Sequence, residues 1–227
     1  MPGFLAGKHS NLAGTRRPPS IFTSDIVIVR YPAADVGRFF ELARLADFEP
    51  IYADTLVHWR AALASGRGPE RPAGLGARAV SRDETAALVR AVFADYPNHY
   101  AANPLLDRHA ALEGYVEWAT TLLDRGDAAS LALVDDAGRD LAFALVDYGP
   151  EVADIRLAGV RPEDRGRGHY RALVAAVMQD AVARGRDAIE ISTQAHNVAV
   201  MSTWARLGWV PTRAVTTVHL VRRGLLR

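Results

Sequence analysis

A glycine-rich turn between a predicted strand and a predicted helix constrains the fold more than any other feature of this sequence. The apolar run 155–160 predicts a buried strand, and apolar residues over 173–182 recur at spacings of one, three and four, which predicts a helix. The turn 161–171 between them holds Gly166 and Gly168, two residues apart. Backbone N–H groups in such a turn, together with the positive end of the following helix dipole, suit a phosphate or pyrophosphate.

The charges of this turn support an anion site but do not identify the anion. Arg165, Arg167 and Arg171 add fixed positive charge. The turn lacks both the P-loop pattern and the three-glycine dinucleotide fingerprint, so on its own it fits a surface turn with solvated arginines equally well.

The residues that follow the turn favour an anion site over an ordinary surface turn. A strand is predicted over 189–193, then come Asn197, a short helix with Trp204, and the sequence Leu207-Gly208-Trp209. In this order the run resembles the acetyl-CoA half of the GCN5-related N-acetyltransferase (GNAT) superfamily. The family's R/Q-x-x-G-x-G/A loop falls on Arg165, Gly168 and Tyr170, its strand-five Asn on Asn197, its Tyr on Trp204, and its Leu-Gly-Phe on residues 207–209. The resemblance covers about 77–227 and is most specific over 151–210.

This resemblance implies an α/β fold, with a mixed central sheet flanked by helices, and acetyl-CoA as the acyl-donor co-substrate. It implies that a backbone N–H around 157–159 holds the oxyanion and that Gly159 and Val160 pair with the pantetheine amides. Gly159 would let that arm approach closely, or would instead mark a strand bulge. The implied cofactor-binding residues are Leu157, Gly159, Val160, Arg165, Gly166, Arg167, Gly168, His169, Tyr170, Arg171, Asn197 and Trp204.

The chemistry requires a group that removes a proton from the acceptor amine, because an alkyl amine is mostly protonated near neutrality. Asp154 precedes the turn where relatives often place a Glu, so it is the expected base, acting directly or through water; it could equally pair with Arg156. Relatives often protonate the leaving thiolate with the Tyr that is replaced here by Trp204, and an indole is no useful acid. Trp204 also has the spacing of a core residue, and Tyr170 could line the pantetheine channel or crowd it.

A polar, aromatic connection follows the first predicted helix of this region. In proteins resembling this one, that loop borders the acceptor site, and its aromatic, amide and imidazole groups suit a sugar ring or another small polar acceptor. An ordinary loop is the alternative, because Tyr, Pro and Asn are common in turns. The expected substrate-binding residues are Tyr96, His99, Tyr100 and Asn103.

The chain divides into four segments by composition. We expect a mobile tail over 1–20, a small αβ unit over 24–64, a linker over 65–76 and the acetyltransferase domain over 77–227. The αβ unit is too short to bury a stable core alone, so it should pack against the main sheet or extend it. Such an extension resembles, more loosely, dTDP-4-amino-6-deoxysugar (fucosamine-type) N-acetyltransferases, which suggests a nucleotide-linked amino sugar as acceptor. Amino acids, aminoglycoside-like metabolites and polyamines remain open.

Periodicity and turn signals predict the other elements. The expected strands lie at 26–29, 51–52, 56–59, 77–80, 129–134, 141–146 and 152–160, with a bend at Asp54-Thr55 and two short strands over 209–221. The expected helices lie at 35–46, at 84–94 with Ser81 or Asp83 as its cap, and at 105–123.

Composition excludes several kinds of function. The net charge of +1 gives no general attraction to nucleic acid or acidic membranes, and the absence of cysteine excludes thiolate catalysis. There is no HExxH-type spacing and no 18-residue apolar run, so we expect no metal, no membrane span and a cytoplasmic protein. The expected partner is a small-molecule amine, and a homodimer is an open alternative. A degenerate domain that binds acyl-CoA or a partner without turnover, and a protein N-terminal acetyltransferase, are the competing functions.

Overall fold

The computed structural model describes residues 24–63 and 72–226, so the predicted tail and most of the predicted linker lie outside the described residues. The strands are β1 (Ile26–Pro32), β2 (Phe48–Ala62), β3 (Leu75–Val80), β4 (Ala128–Asp135), β5 (Asp140–Tyr148), β6 (Val152–Val160), β7 (Ala188–Gln194) and β8 (Val210–Arg222). The helices are α1 (Arg38–Ala43), α2 (Arg82–Phe93), α3 (Arg108–Asp124), α4 (His169–Ala183) and α5 (Val198–Arg206), with 3-10 turns at His99–Ala102 and Pro162–Asp164.

The described strands form one mixed sheet in the order β1-β8-β2-β7-β6-β5-β4-β3, which confirms the predicted fold class. The β6–β7 pair is parallel, and the other pairs of this sheet are antiparallel. Two large buried clusters cover its faces, and a smaller third cluster lies beneath α1. Helices α2 and α3 pack on one face over Phe143 and Leu145, while α4 packs on the other over Ala144 and Val146.

Strand β2 lies in the middle of the sheet, between β7 and β8. Leu56 is paired with Gln194 on one side and with Val215 on the other. The predicted break of this segment into two strands with a bend at Asp54-Thr55 is wrong, because pairing with β8 continues through this position, from Phe48 to Arg60. The irregularity is a β-bulge at Ala53, between the pairs Tyr52–Val218 and Asp54–Thr217.

The C-terminal segment forms one strand of 13 residues rather than the two short strands predicted. Pro211 lacks the N–H that a ladder requires, but it lies near the strand start, opposite a second register shift between His58 and Trp59. The Thr212 hydroxyl donates to the His58 carbonyl there, at 3.2 Å. The register shift accommodates the missing N–H of Pro211, so β8 continues past the proline.

Local caps set the helix ends. Ser81 and Glu84 form a reciprocal capping box, which selects Ser81 over Asp83 as the cap of α2. The Asp107 carboxylate accepts from the Ala110 N–H, so α3 begins three residues later than predicted. Helix α1 is shorter than predicted, because two turns with backbone bonds from Asp35 and Arg38 precede it. None of the helices within the described residues combines the length and the apolar character that a bilayer crossing requires.

Candidate functional site

The sheet opens between β6 and β7. Parallel pairing runs from Val152–Ala188 to Ile155–Ile191 and then stops, although both strands continue. A bulge at Arg156, between the pairs Leu145–Leu157 and Val146–Ile155, bends β6 at this point. Within the described part of the chain, residues 157–160 therefore pair only with β5, and their other backbone edge faces the opening.

The glycine turn lies beside this opening. Gly166 and Gly168 have φ values of 78° and 81°, a region that strongly favours glycine, and Gly168 is the N-cap of α4 with no side-chain cap. The first N–H groups of α4 are thus not capped by a side chain, as an anion site requires.

A buried carboxylate that sequence reasoning missed anchors the turn. Asp164 accepts from Arg139 at 2.8 and 3.0 Å and lies 3.5 Å from Arg167. The Arg139 guanidinium holds the pKa of Asp164 below its usual range. The Asp164 carbonyl also accepts from the His169 Nδ1–H at 3.1 Å. The two residues are 25 positions apart, with β5 and β6 between them, so no local pattern could indicate the pair.

Arg165 binds the protein's own backbone. Its guanidinium donates to the carbonyls of Val92, at 3.2 Å, and Val160, at 3.3 Å, which ties the turn to the end of α2 and the end of β6. Arg167 and Arg171 lie on the turn and the first helical turn, and Arg171 lines the groove described below.

Gly159 has a packing role that the sequence did not predict. A Cβ built on it would lie 2.3 Å from Val92 Cγ1, so only glycine lets α2 approach β6 this closely. The alternative of a bulge at Gly159 is wrong, because the bulge of β6 is at Arg156.

We expect Gly159→Ala to lower the free energy of unfolding by about 1–3 kcal/mol, since the added methyl overpacks a buried contact. Val92→Ala in the same chain removes the opposing methyl groups and should recover part of that loss, as measured by chemical denaturation. If Gly159 also serves the pantetheine arm, the double variant regains stability without regaining affinity for acetyl-CoA. A single variant as stable as the wild type would contradict the packing role.

Trp204 lies in the core, as one of the two interpretations held. It is 1% exposed, its ring centroid lies 6.0 Å from that of Trp59 and 6.2 Å from that of Trp209, and its indole N–H donates to the Tyr170 hydroxyl at 3.1 Å. Burial raises the pKa of Tyr170. Tyr170 thus keeps its own proton while its oxygen is held in place. Asn197, the N-cap residue of α5, donates to the Thr193 hydroxyl at 3.1 Å.

The aromatic connection after α2 lies on the opposite side of the opening. Tyr96 donates to the Gln194 side-chain oxygen at the end of β7, and the rings of Tyr96 and Tyr100 line the groove. His99 is 4% exposed; its Nε2 accepts from Arg30, and its Nδ1–H donates to His219, both at 3.1 Å. Burial, followed by Arg30 and His219, lowers the pKa of His99 to about 3.

Asn103 belongs to the same buried network. Its amide nitrogen lies 3.3 Å from His219, and its side-chain oxygen accepts from the Leu105 N–H at 3.0 Å. The polar atoms of His99 and Asn103 are therefore engaged by protein groups. Direct substrate binding by these two residues stays a prediction.

Asp154 forms the ion pair that was its alternative role. Arg156 Nη1 lies 2.6 Å from its carboxylate, and the same guanidinium lies 5.5 Å from the centroid of the Trp118 ring. The side chain of Asp154 is partly exposed and lines the groove. Its role as a base stays a prediction.

Asp54 is a second carboxylate on this side, and sequence reasoning missed it. It is 6% exposed, and neither of its oxygens has a hydrogen-bond partner of proper geometry among the described residues. Burial raises its pKa, opposed by Thr217, Arg30 and His196. An acidic residue within the apolar β-pattern 51–57 was the available signal, but it was interpreted as a bend.

One groove of about 2940 Å³ joins these features. Its lining includes Gly159, Arg165 and Gly168 on the turn side, and Tyr96 and Asp154 on the other. A single drug-sized ligand needs roughly 300–1,000 Å³. The groove is therefore larger than one such ligand needs.

Comparisons with known proteins concern the fold and the family of the chain. The structure is similar to a GCN5-related N-acetyltransferase from Sphaerobacter thermophilus, with a TM-score of 0.64 and 20% identity over 88% of this chain and 61% of that one. It is similar to a tandem GNAT protein from the clavulanic acid biosynthesis pathway, with a TM-score of 0.58 and 19% identity over 86% and 62% of the two chains. The chain thus spans less than two thirds of either protein.

A third similar structure is the glucosamine N-acetyltransferase region of the fungal multi-domain GH3 β-N-acetylglucosaminidase, with a TM-score of 0.55 and 15% identity over 82% of this chain and 23% of that one. No curated protein sequence matches the chain. The model of the acetyltransferase (GNAT) family matches residues 88–209, which is more than half of the sequence. The chain therefore belongs to the acetyltransferase (GNAT) family.

Proposed function

We propose that this protein is an N-acetyltransferase that moves an acetyl group from acetyl-CoA to a primary amine of a small molecule. The observation that carries this proposal is the groove through the β6–β7 opening, with an uncapped helix N-terminus on one side and tyrosines on the other. The turn and α4 suit the phosphates of the donor, and the free edge of 157–160 suits strand-like pairing with its amides.

The reaction is a direct attack in a ternary complex. The ammonium form of the acceptor loses one proton, and the neutral amine attacks the thioester carbonyl carbon. A backbone N–H near 157–159 would stabilise the oxyanion. When the C–S bond breaks, the amide nitrogen has lost a second proton and the thiolate gains one. The net reaction of ammonium and thioester therefore gives amide, free thiol and one proton in solvent.

Tyr170 is the group we assign to protonate the thiolate. It lines the groove, and Trp204 fixes its oxygen without using its proton. This assignment offers a reason why the chain functions with Trp204 where relatives often have Tyr.

A nucleotide-linked amino sugar is the acceptor class that we favour. Trp118 and Arg156 line the same groove beyond Asp154, and together they offer an aromatic face and a positive charge. Such a pair suits a base or sugar ring and a phosphate. The name of the fungal region similar to this chain also refers to an amino sugar.

A degenerate domain that binds acyl-CoA without turnover is the second candidate, favoured by Trp204 at the position of the family's Tyr. Thiol release with acetyl-CoA against a panel of amines, including nucleotide-linked amino sugars, distinguishes the two. Release with one acceptor class supports the transferase and names that class. Acetyl-CoA binding by calorimetry without release favours the second candidate, and absence of binding contradicts both.

The donor side can be tested at Gly168. We expect Gly168→Val to weaken acetyl-CoA binding at least about tenfold, a loss of roughly 1.4 kcal/mol, because the side chain strains a positive φ and fills open space at the start of α4. Gly185→Val is the matched control, since Gly185 follows the other end of α4 with φ 71° and equally open space. Equal loss of affinity in both variants would contradict the site.

A further inference from the structure

Asp54 lies on the acceptor side of the sheet because of a bulge. Ala53 is the extra residue of β2, and Asp54 follows it opposite Thr217 of β8. Strand alternation places Asp54 on the same face as Leu56 and His58, both of which line the groove. Bulges often redirect a side chain next to an active site.

The Asp54 carboxylate is buried, and Thr217 is the hydrogen-bonding side chain that opposes the rise in its pKa. Neither oxygen receives a hydrogen bond of proper geometry from the described residues, and the buried Thr217 hydroxyl beside it is likewise unpaired. A buried carboxylate that serves only stability has donors, because desolvation without them is costly. Asp54 and Thr217 lie opposite each other on neighbouring strands, and their three side-chain oxygens match the number of hydrogen bonds that a buried water molecule typically makes.

The groups around Asp54 connect it to the opening between β6 and β7. Arg30 of β1 and His196 after β7 oppose the rise in its pKa, as Thr217 does. Its own charge contributes to the raised pKa values of Tyr96 and Tyr115. Tyr96 in turn is hydrogen-bonded to Gln194 at the end of β7. Asp54 thus lies within electrostatic range of the tyrosine that borders the opening.

We propose that Asp54, rather than Asp154, accepts the proton that the acceptor amine loses, through a water molecule held by Asp54 and Thr217. The ammonium N–H bond breaks as the water takes that proton and passes one of its own to the carboxylate, which becomes a carboxylic acid; the proton later returns to solvent. This inference rests on the proposed acetyl transfer. The Asp154 carboxylate already forms an ion pair with Arg156, at 2.6 Å.

The test is Asp54→Asn, which keeps the shape and removes the charge. With the acceptor identified by the panel, we expect kcat to fall by about 10²–10⁴-fold while the Kd for acetyl-CoA is unchanged. The Tm should be kept or rise by about 2–4 °C, because an unpaired buried charge is removed. Glu49→Gln is the control on the same strand: Glu49 pairs with Arg223 outside the groove, and its loss should leave kcat unchanged.

The pH profile gives a readout that a structural role would not move. In the wild type, kcat should level off above the pKa of Asp54. In Asp54→Asn the residual kcat should rise tenfold per pH unit up to the pKa of the amine, because only free amine then reacts. A wild-type pH profile in this variant, or a fall in Tm that accounts for the lost activity, would overturn the role of Asp54 but leave the proposed acetyl transfer standing. Absence of thiol release by the wild type would overturn the acetyl transfer as well.

Discussion

Acidification from pH 7 to pH 5 is expected to lower the free energy of unfolding by about 2 kcal/mol through His99 alone. The pKa of this buried histidine falls from its ordinary 6.5 to about 3 in the folded protein. Between these two values the unfolded chain binds more protons, so stability falls as the pH drops. The loss begins near pH 6.5 and reaches its full value near pH 3. That full value is about 5 kcal/mol, because each pKa unit between the unfolded and the folded His99 contributes 1.36 kcal/mol.

The measurement is Tm or chemical denaturation as a function of pH, with His99→Gln as the matched variant. A glutamine can accept from Arg30 with its oxygen and donate to His219 with its nitrogen, as neutral His99 does, but it does not titrate. Its stability should therefore depend less on pH between 3 and 6.5. His219, whose pKa is also lowered, accounts for part of the remaining slope. Equal slopes in the two proteins would show that His99 is not the source.

Trp204→Ala is expected to lower the free energy of unfolding by about 3–5 kcal/mol, because it removes a large and fully buried ring. The ring packs between Trp59 of β2 and Trp209 before β8, so the cavity would open where α5 meets the sheet. Denaturant unfolding followed by circular dichroism measures this loss. A variant as stable as the wild type would contradict the core role.

Trp204→Phe separates packing from positioning. Phenylalanine keeps most of the aromatic contact but cannot donate to the Tyr170 hydroxyl. We expect a smaller stability loss, of which about 1 kcal/mol belongs to the hydrogen bond, and a lower kcat in a transferase that uses Tyr170. Tyr170→Phe should lower kcat as much as the double variant Trp204→Phe/Tyr170→Phe does, since both proteins lack the Tyr170 hydroxyl as proton donor. Additive losses of kcat would contradict the link between the two residues.

Short-range patterns predicted their elements well. Strand β6 has the predicted bounds 152–160, and the turn 135–138 connects β4 and β5 as expected. Ser81 and Glu84 are three residues apart, so their capping box can be recognised from the sequence alone. The two glycines of the donor turn have the positive φ values that their place between strand and helix indicates.

The features that could not be predicted from the sequence are contacts between segments that lie far apart along the chain. Asp54 could be noticed as an acidic residue in an apolar β-pattern, but its burial could not be predicted, because β8, with which it pairs, lies more than 150 residues away. The Arg139–Asp164 pair and the contact of Val92 with Gly159 likewise join elements that are separate in sequence. Each of them shapes the candidate site.

The sequence by itself determined the strand–turn–helix unit of the proposed donor side and the identity of the family, because both depend on the spacing of residues within short segments, and that spacing sets the local backbone structure. Only the tertiary structure decided that β2 is continuous and lies inside the sheet, that β6 and β7 diverge after Ile155, and that two carboxylates lie on the proposed acceptor side. The physical reason is that register, burial and the pairing of charges are properties of segments brought together, and no single segment contains that information.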